Sequence, residues 1–251
     1  MTSGATKPAD GHIEDEARAL AEDLLGHLRW ACELNVPGFE KNAPVKQELP
    51  NPAIAAPELL LGEEMTSLAA LQTALEGCTR CPLHENRSRI VFGTGNPRAD
   101  LCLVGEGPGE EEDLRGEPFV GAAGQLLDRI IEAMGLKRGD VYICNIVKCR
   151  PPRNRTPLPE EMEVCGPFVA RQIELVSPKM ILTLGATATQ YLLGVADPIS
   201  RLRGRFHEWR GIPLRATYHP AYLLRSPKEK RKTWEDVQAV MQSLGLKGKA
   251  P

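Results

Sequence analysis

Cys78 and Cys81 form a C-x-x-C pair, while Cys149 and Cys165 stand further along on either side of the basic run Arg150-Pro151-Pro152-Arg153-Asn154-Arg155. Four soft thiolates drawn from distant segments suit a tetrahedral zinc or an iron–sulfur cluster. Fifteen residues separate Cys149 from Cys165, so the double C-x-x-C pattern of a zinc ribbon is not met. Spacing leaves zinc and iron–sulfur equally open. No charged n-region and apolar h-region of a secretory leader is apparent, so a reducing, cytoplasmic setting is expected, in which disulfides rarely persist. Of the other three cysteines, Cys102 and Cys144 lie in apolar strand-like runs as small hydrophobes, and Cys32 is expected to pack on a helix.

A second set of residues could carry out catalysis. Gly105-Glu106-Gly107-Pro108-Gly109 follows an apolar run and leads into Glu110-Glu111-Glu112-Asp113. Both nucleotide fingerprints fail there: Glu110 replaces the last glycine, and no Gly-Lys-Ser/Thr follows. So many carboxylates would repel a phosphate. Glycines let backbone approach a ligand closely, and Glu106 and Glu112 offer carboxylates able to position water or stabilise a cationic transition state. The acidic run could equally cap a helix. Phe119, in the glycine-bounded segment Pro118 to Gly124, has a flat face that could stack on a base or simply fill core. Asn145 presents a donor and an acceptor side by side, a pair that matches O4 and N3–H of uracil and mismatches the amino group of cytosine; buried asparagines also tie down loops. His219, in Tyr218-His219-Pro220, could donate a hydrogen bond to an oxygen gaining negative charge, or play a structural part. Leu223 and Leu224 beside Arg225 could supply an apolar wedge and a phosphate contact where a base leaves a duplex.

These residues need a scaffold that ends its strands together. From residue 70 onward apolar runs alternate with helical patterns: strands over 100–104, 141–147, 180–184 and 214–218, and helices over about 121–134, 159–176, 186–193 and 227–244. This order predicts a three-layer α/β/α sandwich around a mainly parallel sheet, with ligands at the carboxyl ends of the strands. The strands are nearly continuous in apolar residues, as strands covered on both faces should be.

Charge divides the chain. Residues 1–70 carry 5 basic and 12 acidic side chains, a net of −7, whereas residues 196–251 carry 12 and 5, a net of +7. A basic C-terminal third suits a phosphate-backbone contact, and is also what a solvated helix face looks like. Residues 1–65 read as an acidic extension with one amphipathic helix, on which Ile13, Ala17, Leu20, Leu24, Leu28 and Ala31 share a face, followed by a proline-rich linker. That helix could dock on a protein partner or pack on its own domain. Residues 66–251 form the second unit. No apolar stretch reaches the roughly 18 residues a membrane span needs.

Taken together, GEGPGEEED, EPFVGAAGQLLD, CNIVKCRPPRNRTPL with EVCGPF after it, and TYHPAYLLR resemble the motifs of the iron–sulfur uracil-DNA glycosylases of family four, over about residues 75–243. The resemblance implies the α/β/α fold of that family and a structural 4Fe-4S cluster on Cys78, Cys81, Cys149 and Cys165. It also implies a pocket lined by Glu106, Gly107 and Pro108, with Phe119 stacking on uracil, Asn145 reading its edge and His219 facing O2. Glu112 would help place the water; Arg150, Arg153 and Arg155, in the segment between Cys149 and Cys165, are expected close enough to the DNA to contact phosphate. The implied substrate is uracil-containing DNA, single- or double-stranded; no lysine stands at these strand ends to form a Schiff base, so a monofunctional enzyme is expected, acting as a monomer. The segment from Arg150 to Pro159 is short and lacks histidine, unlike the insert of related proteins that capture the abasic product covalently, so turnover is expected. The alternative is a non-catalytic module that binds damaged DNA and recruits repair or replication partners. A small electron-transfer protein would leave the strand-end residues unexplained.

Overall fold

The computed structural model describes residues 65–248; the amphipathic helix expected within 1–65, its partner and Cys32 lie outside the described residues. Six strands form one sheet in the order β1-β3-β2-β4-β6-β5. The four central ones, β3 (Tyr142–Asn145), β2 (Leu101–Gly105), β4 (Met180–Leu184) and β6 (Ile212–Thr217), run parallel. Two antiparallel edges, β1 (Thr94–Gly95) and β5 (Phe206–Trp209), close the ends. Neither edge strand is foreseen by the apolar pattern, because β1 has two residues and β5 leaves all but Trp209 in contact with water.

Successive residues of a strand face opposite sides, and the core divides accordingly. Leu101, Leu103, Ile143 and Leu182 pack under α3 (Ala122–Ala133) and α8 (Lys230–Leu244), through Leu127, Ile131, Val237 and Val240. Cys102, Val104, Cys144 and Ile181 pack on the other side under α4 (Pro159–Val176) and α5 (Ala186–Leu193), through Val169, Ile173 and Leu192. The result is the three-layer α/β/α sandwich that the alternating order predicts. Pro159 opens α4 at a position that needs no amide hydrogen. The Glu161 carboxylate, held below its ordinary range by the Arg155 guanidinium, accepts from the Leu158 amide at 2.7 Å. Glu110–Arg115, whose acidic run could from sequence cap a helix, forms the short helix α2, with four carboxylates in its positive first turn. Ahead of the sheet, α1 (Leu68–Thr73) packs Leu71 against Phe92 and Phe168.

Part of the C-terminal positive charge is internal. Asp236 on α8 is fully buried and accepts from Arg203 Nε, just past the short helix α6 (Ile199–Leu202), at 2.8 Å, Arg215 Nη2 at 3.0 Å, Thr217 Oγ1 at 3.1 Å and the Gly204 amide at 3.1 Å. This network fastens α8 to β6, the strand that leads to His219. Removing the anion would leave the buried Arg215 guanidinium without its counter-charge and take from Arg203 the nearer of its two carboxylates. Asp236→Ala is therefore expected to cost about 3 to 5 kcal/mol of stability, read as a lower denaturant midpoint in equilibrium unfolding.

Candidate functional site

Parallel pairing sets Gly105 opposite Asn145 and Leu184 opposite Thr217, so the loops that follow the central strands leave one edge of the sheet together. There they enclose a cavity of about 460 Å³ lined by Glu106, Gly107 and Pro108 after β2, Asn145 at the end of β3, Phe119 from the segment before α3, and His219 just after β6. The site residues expected from motif order thus share one space. Their supports differ.

Asn145 is 2 % exposed, and its Oδ1 has no hydrogen-bond partner. A buried acceptor left unmade costs about 1 to 3 kcal/mol, a loss that a ligand donating an N–H to it would recover. Its position is exact because Gly105 gives it room: a Cβ there would lie 2.4 Å from Asn145 Oδ1 and 2.6 Å from Phe119 Cζ. Phe119 itself holds φ at +54°, a left-handed backbone that a bulky residue adopts at a cost of about 1 to 3 kcal/mol. The surroundings enforce it. Glu112 Oε1 accepts from the amides of Val120 (2.9 Å) and Gly121 (3.1 Å), and its Oε2 accepts from Gly109 (3.1 Å), stapling the β2 loop to the Phe119 loop. Where the sequence reading gave Glu112 the water, the structure engages both of its carboxylate oxygens with backbone. The Glu106 carboxylate accepts through Oε2 from Thr187 Oγ1.

His219 caps the N-terminus of α7 (Pro220–Arg225), and its Nδ1 accepts from the Ala221 amide at 3.1 Å. Nδ1 must therefore be bare, which puts the proton of the neutral ring on Nε2. Burial, reinforced by the Arg225 cation and opposed by Glu112, pushes its pKa down to about 4. The ring stands 5.5 Å from that of Phe119 at 31°. At neutral pH the pocket thus holds an uncharged imidazole with one N–H to give.

The sequence model of the uracil DNA glycosylase superfamily matches residues 92–238. Three proteins named type-4 uracil-DNA glycosylase are similar to the chain. That of Thermotoga maritima is 48% identical over 178 residues, 68% of this chain and 91% of the relative. That of Archaeoglobus fulgidus is 41% identical over 191 residues, 73% and 96% of the two chains. The one from Saccharolobus solfataricus is 41% identical over 192 residues, 73% and 89%. The chain belongs to the type-4 uracil-DNA glycosylases.

Within this glycosylase fold, Cys78, Cys81, Cys149 and Cys165 line a second, small cavity together with Arg80, Arg87 and Lys148. Donors point at three of the sulfurs: Arg80 Nη1 to Cys78 at 3.2 Å, Arg87 Nη1 to Cys149 at 3.3 Å and the Lys148 amide to Cys165 at 3.3 Å. Burial pushes the Cys165 thiol up to about 12 and raises Cys81 and Cys149 as well. Among the described residues, no three His, Cys, Asp or Glu side chains form a ready site for a single metal ion. Sequence reasoning missed Lys148. It is 1 % exposed, and its ammonium donates to Asn145 O at 2.7 Å and to Gln172 Oε1, so it ties the residue at the pocket floor to the segment that carries Cys149.

The cavity mouth brings one correction. Leu223, expected to be part of the wedge, is 1 % exposed and packs against Leu126 and Tyr218, because one step along a helix turns a side chain by about 100°. Leu224 faces outward at 42 % exposure. Arg155, expected on phosphate, lines the cavity and also grips the buried Glu161 carboxylate with two hydrogen bonds of 2.8 and 2.6 Å. Arg150 donates to Asn154 Oδ1 at 2.8 Å and lies 3.5 Å from Glu110; Arg153 and Arg225 are exposed.

The depressed pKa of His219 has a sign that can be measured. Unfolded, the ring titrates near 6.5; folded, near 4. Its contribution to stability is whole above the unfolded value and is lost as pH falls from there toward the folded one. Nitrogen-edited NMR should show the Nε2–H tautomer persisting below the ordinary histidine range, and His219→Ala should lose less stability than the parent protein on acidification from neutral pH to pH 4.

Proposed function

We propose that this chain hydrolyses the N-glycosidic bond of deoxyuridine everted from DNA, releasing uracil and leaving an abasic site for base excision repair. The observation that carries the reading is the buried, unpartnered Oδ1 of Asn145, set beside Phe119 and a neutral His219 in one cavity. Uracil offers N3–H to that oxygen and O4 to the amide of the same side chain. Cytosine would present an acceptor and an amino group there, leaving both pairings wrong. Phe119 takes the face of the ring.

Cleavage separates charge. As the C1′–N1 bond breaks, its electron pair stays with uracil while the sugar takes on oxocarbenium character. His219 Nε2–H donates to O2, where negative charge collects, and a neutral donor avoids the cost of burying a cation there. Glu106 faces the sugar side, steadies its positive character, orients a water and receives the proton that the water loses on bonding to C1′. Glu112 holds the two loops in place. Leu224, Arg225, Arg150 and Arg153 meet the DNA, the leucine filling the gap left by the everted base. Lys148 follows β3 closely, yet its amine is occupied away from the cavity, so no lysine among the described residues is placed to form a Schiff base with the abasic sugar. The chain acts as a monomer that stops at the abasic product, and no described helix is long and apolar enough to cross a membrane.

The thiol cavity fits a 4Fe-4S cluster held by Cys78, Cys81, Cys149 and Cys165. Three hydrogen bonds to sulfur and the buried Lys148 amine act toward thiolates there, against the burial that raises the thiols, and all four cysteines line one cavity. When bound, the cluster cross-links the segments around Cys78 and Cys149 and takes no part in the reaction. Protein purified without air should carry about four irons per chain and the broad visible absorption of such clusters; a colourless zinc protein overturns this assignment.

On oligonucleotides with U·G, U·A or single-stranded uracil, free uracil should appear while the strand stays intact until alkali is added. His219→Ala and Asn145→Ala should each lose about 100- to 1000-fold in kcat, or about 2.7 to 4 kcal/mol, and variants of Asn145 should discriminate less against cytosine. Parent-like rates in both would exclude this site. Tight binding to uracil-DNA without base release would mark a recognition module instead.

A further inference from the structure

The sheet order places β4 between β2 and β6, that is, between the strand that ends at Glu106 and the strand that leads to His219. No residue of the proposed reaction comes from β4. We infer that the turn leaving it, Gly185 to Thr187, positions those two groups relative to each other, with Thr187 as the positioning residue for the Glu106 carboxylate. The inference rests on the glycosylase reading and adds to it the way the water-orienting carboxylate is aimed.

Each end of this turn touches one of the two groups. The Gly185 amide donates to Thr217 O at 2.9 Å, two residues before His219. Gly185 holds φ at +99°, where a side chain is strained, and a Cβ added there would lie 3.1 Å from the Cβ of His219. Two residues on, Thr187 Oγ1 donates to Glu106 Oε2 at 2.5 Å. The turn is itself clamped from the core side. Thr189 Oγ1 donates to Gly185 O at 2.7 Å and stands 2.8 Å from Thr183 Oγ1, both threonines being fully buried. Neither Gly185 nor Thr187 lines the cavity, so the support reaches Glu106 from behind.

A glutamate needs such support because its last torsion is broad and roughly two-fold, without the staggered wells that fix an aliphatic chain. Pinning Oε2 fixes the plane of the carboxylate, and only then does Oε1 take one direction toward the water. Thr187 also stands in the first turn of α5, where the helix amides favour a nearby anion.

The test compares Thr187→Val, which keeps shape and loses the hydroxyl, with Thr187→Ser, which keeps the hydroxyl. For Thr187→Val the single-turnover rate of uracil release is expected to fall about 10- to 100-fold, the worth of a hydrogen bond to a charged group. Affinity for an oligonucleotide containing non-hydrolysable 2′-fluoro-deoxyuridine should not change, and Thr187→Ser should restore most of the rate. A cycle through Glu106→Ala completes the test: with the carboxylate gone, Thr187→Val should slow the reaction no further. Parent-like rates in Thr187→Val, no rescue by serine, an equal loss of affinity, or additive losses in the double variant would each overturn the inference. If valine does not yield folded protein, the serine variant and Thr187→Ala carry the same comparison. Failure of the parent protein to release uracil would instead defeat the glycosylase reading.

Discussion

Backbone hydrogen bonds between β3, β2, β4 and β6 leave their carboxyl ends level, so the chain quits the sheet four times along one edge. Residues separated by up to 113 positions in sequence, Glu106 and His219, become neighbours through that register alone. A slip of one residue in any strand would turn its side chains to the other face and draw its loop out of the cavity. Apolar burial on both faces makes such a slip prohibitive, since Leu101 and Leu103 belong to one layer and Cys102 and Val104 to the other. The rigidity that a preorganised polar pocket needs is thus a property of the hydrophobic layers beneath it.

Two buried ions extend that rigidity beyond the sheet. Asp236 gathers Arg203, Arg215 and Thr217 and so holds the strand behind His219. Lys148 joins the floor of the pocket to the thiol cavity, with a carbonyl and an amide oxygen as its direct acceptors. Burial lowers the pKa of its amine, and the neighbouring cysteine sulfurs, Cys144 foremost, act against that shift. The two cavities of this domain are therefore linked through Lys148, which lines the thiol cavity and bonds the carbonyl of Asn145, a residue of the other.

Much of this was readable before any coordinates. Continuous apolar runs gave the central strands because both their faces are covered, and the residues that follow those runs, Glu106, Asn145 and His219, do meet. What stayed hidden has physical causes. β5 is half wet and carries no apolar run, while β1 is too short for a period. The phase of α7 decides that Leu223 packs inward and Leu224 faces water, and two adjacent leucines give no hint of it. The grip of Arg155 on Glu161, six residues on, is not announced by its place in a basic run. Composition argues against a buried lysine, and Lys148 has no acidic neighbour in sequence to signal one. Thr187 reaches Glu106 across 81 positions, a contact that only the strand order produces.

Gly105 has a bearing on how such a protein can diverge. Any other residue would drive its first carbon into both the amide oxygen of Asn145 and the ring of Phe119. The two groups that would grip the base therefore rest on a spot where evolution has no intermediate to try, and drift toward a new base specificity must proceed through their own side chains while this hydrogen-only position stays closed.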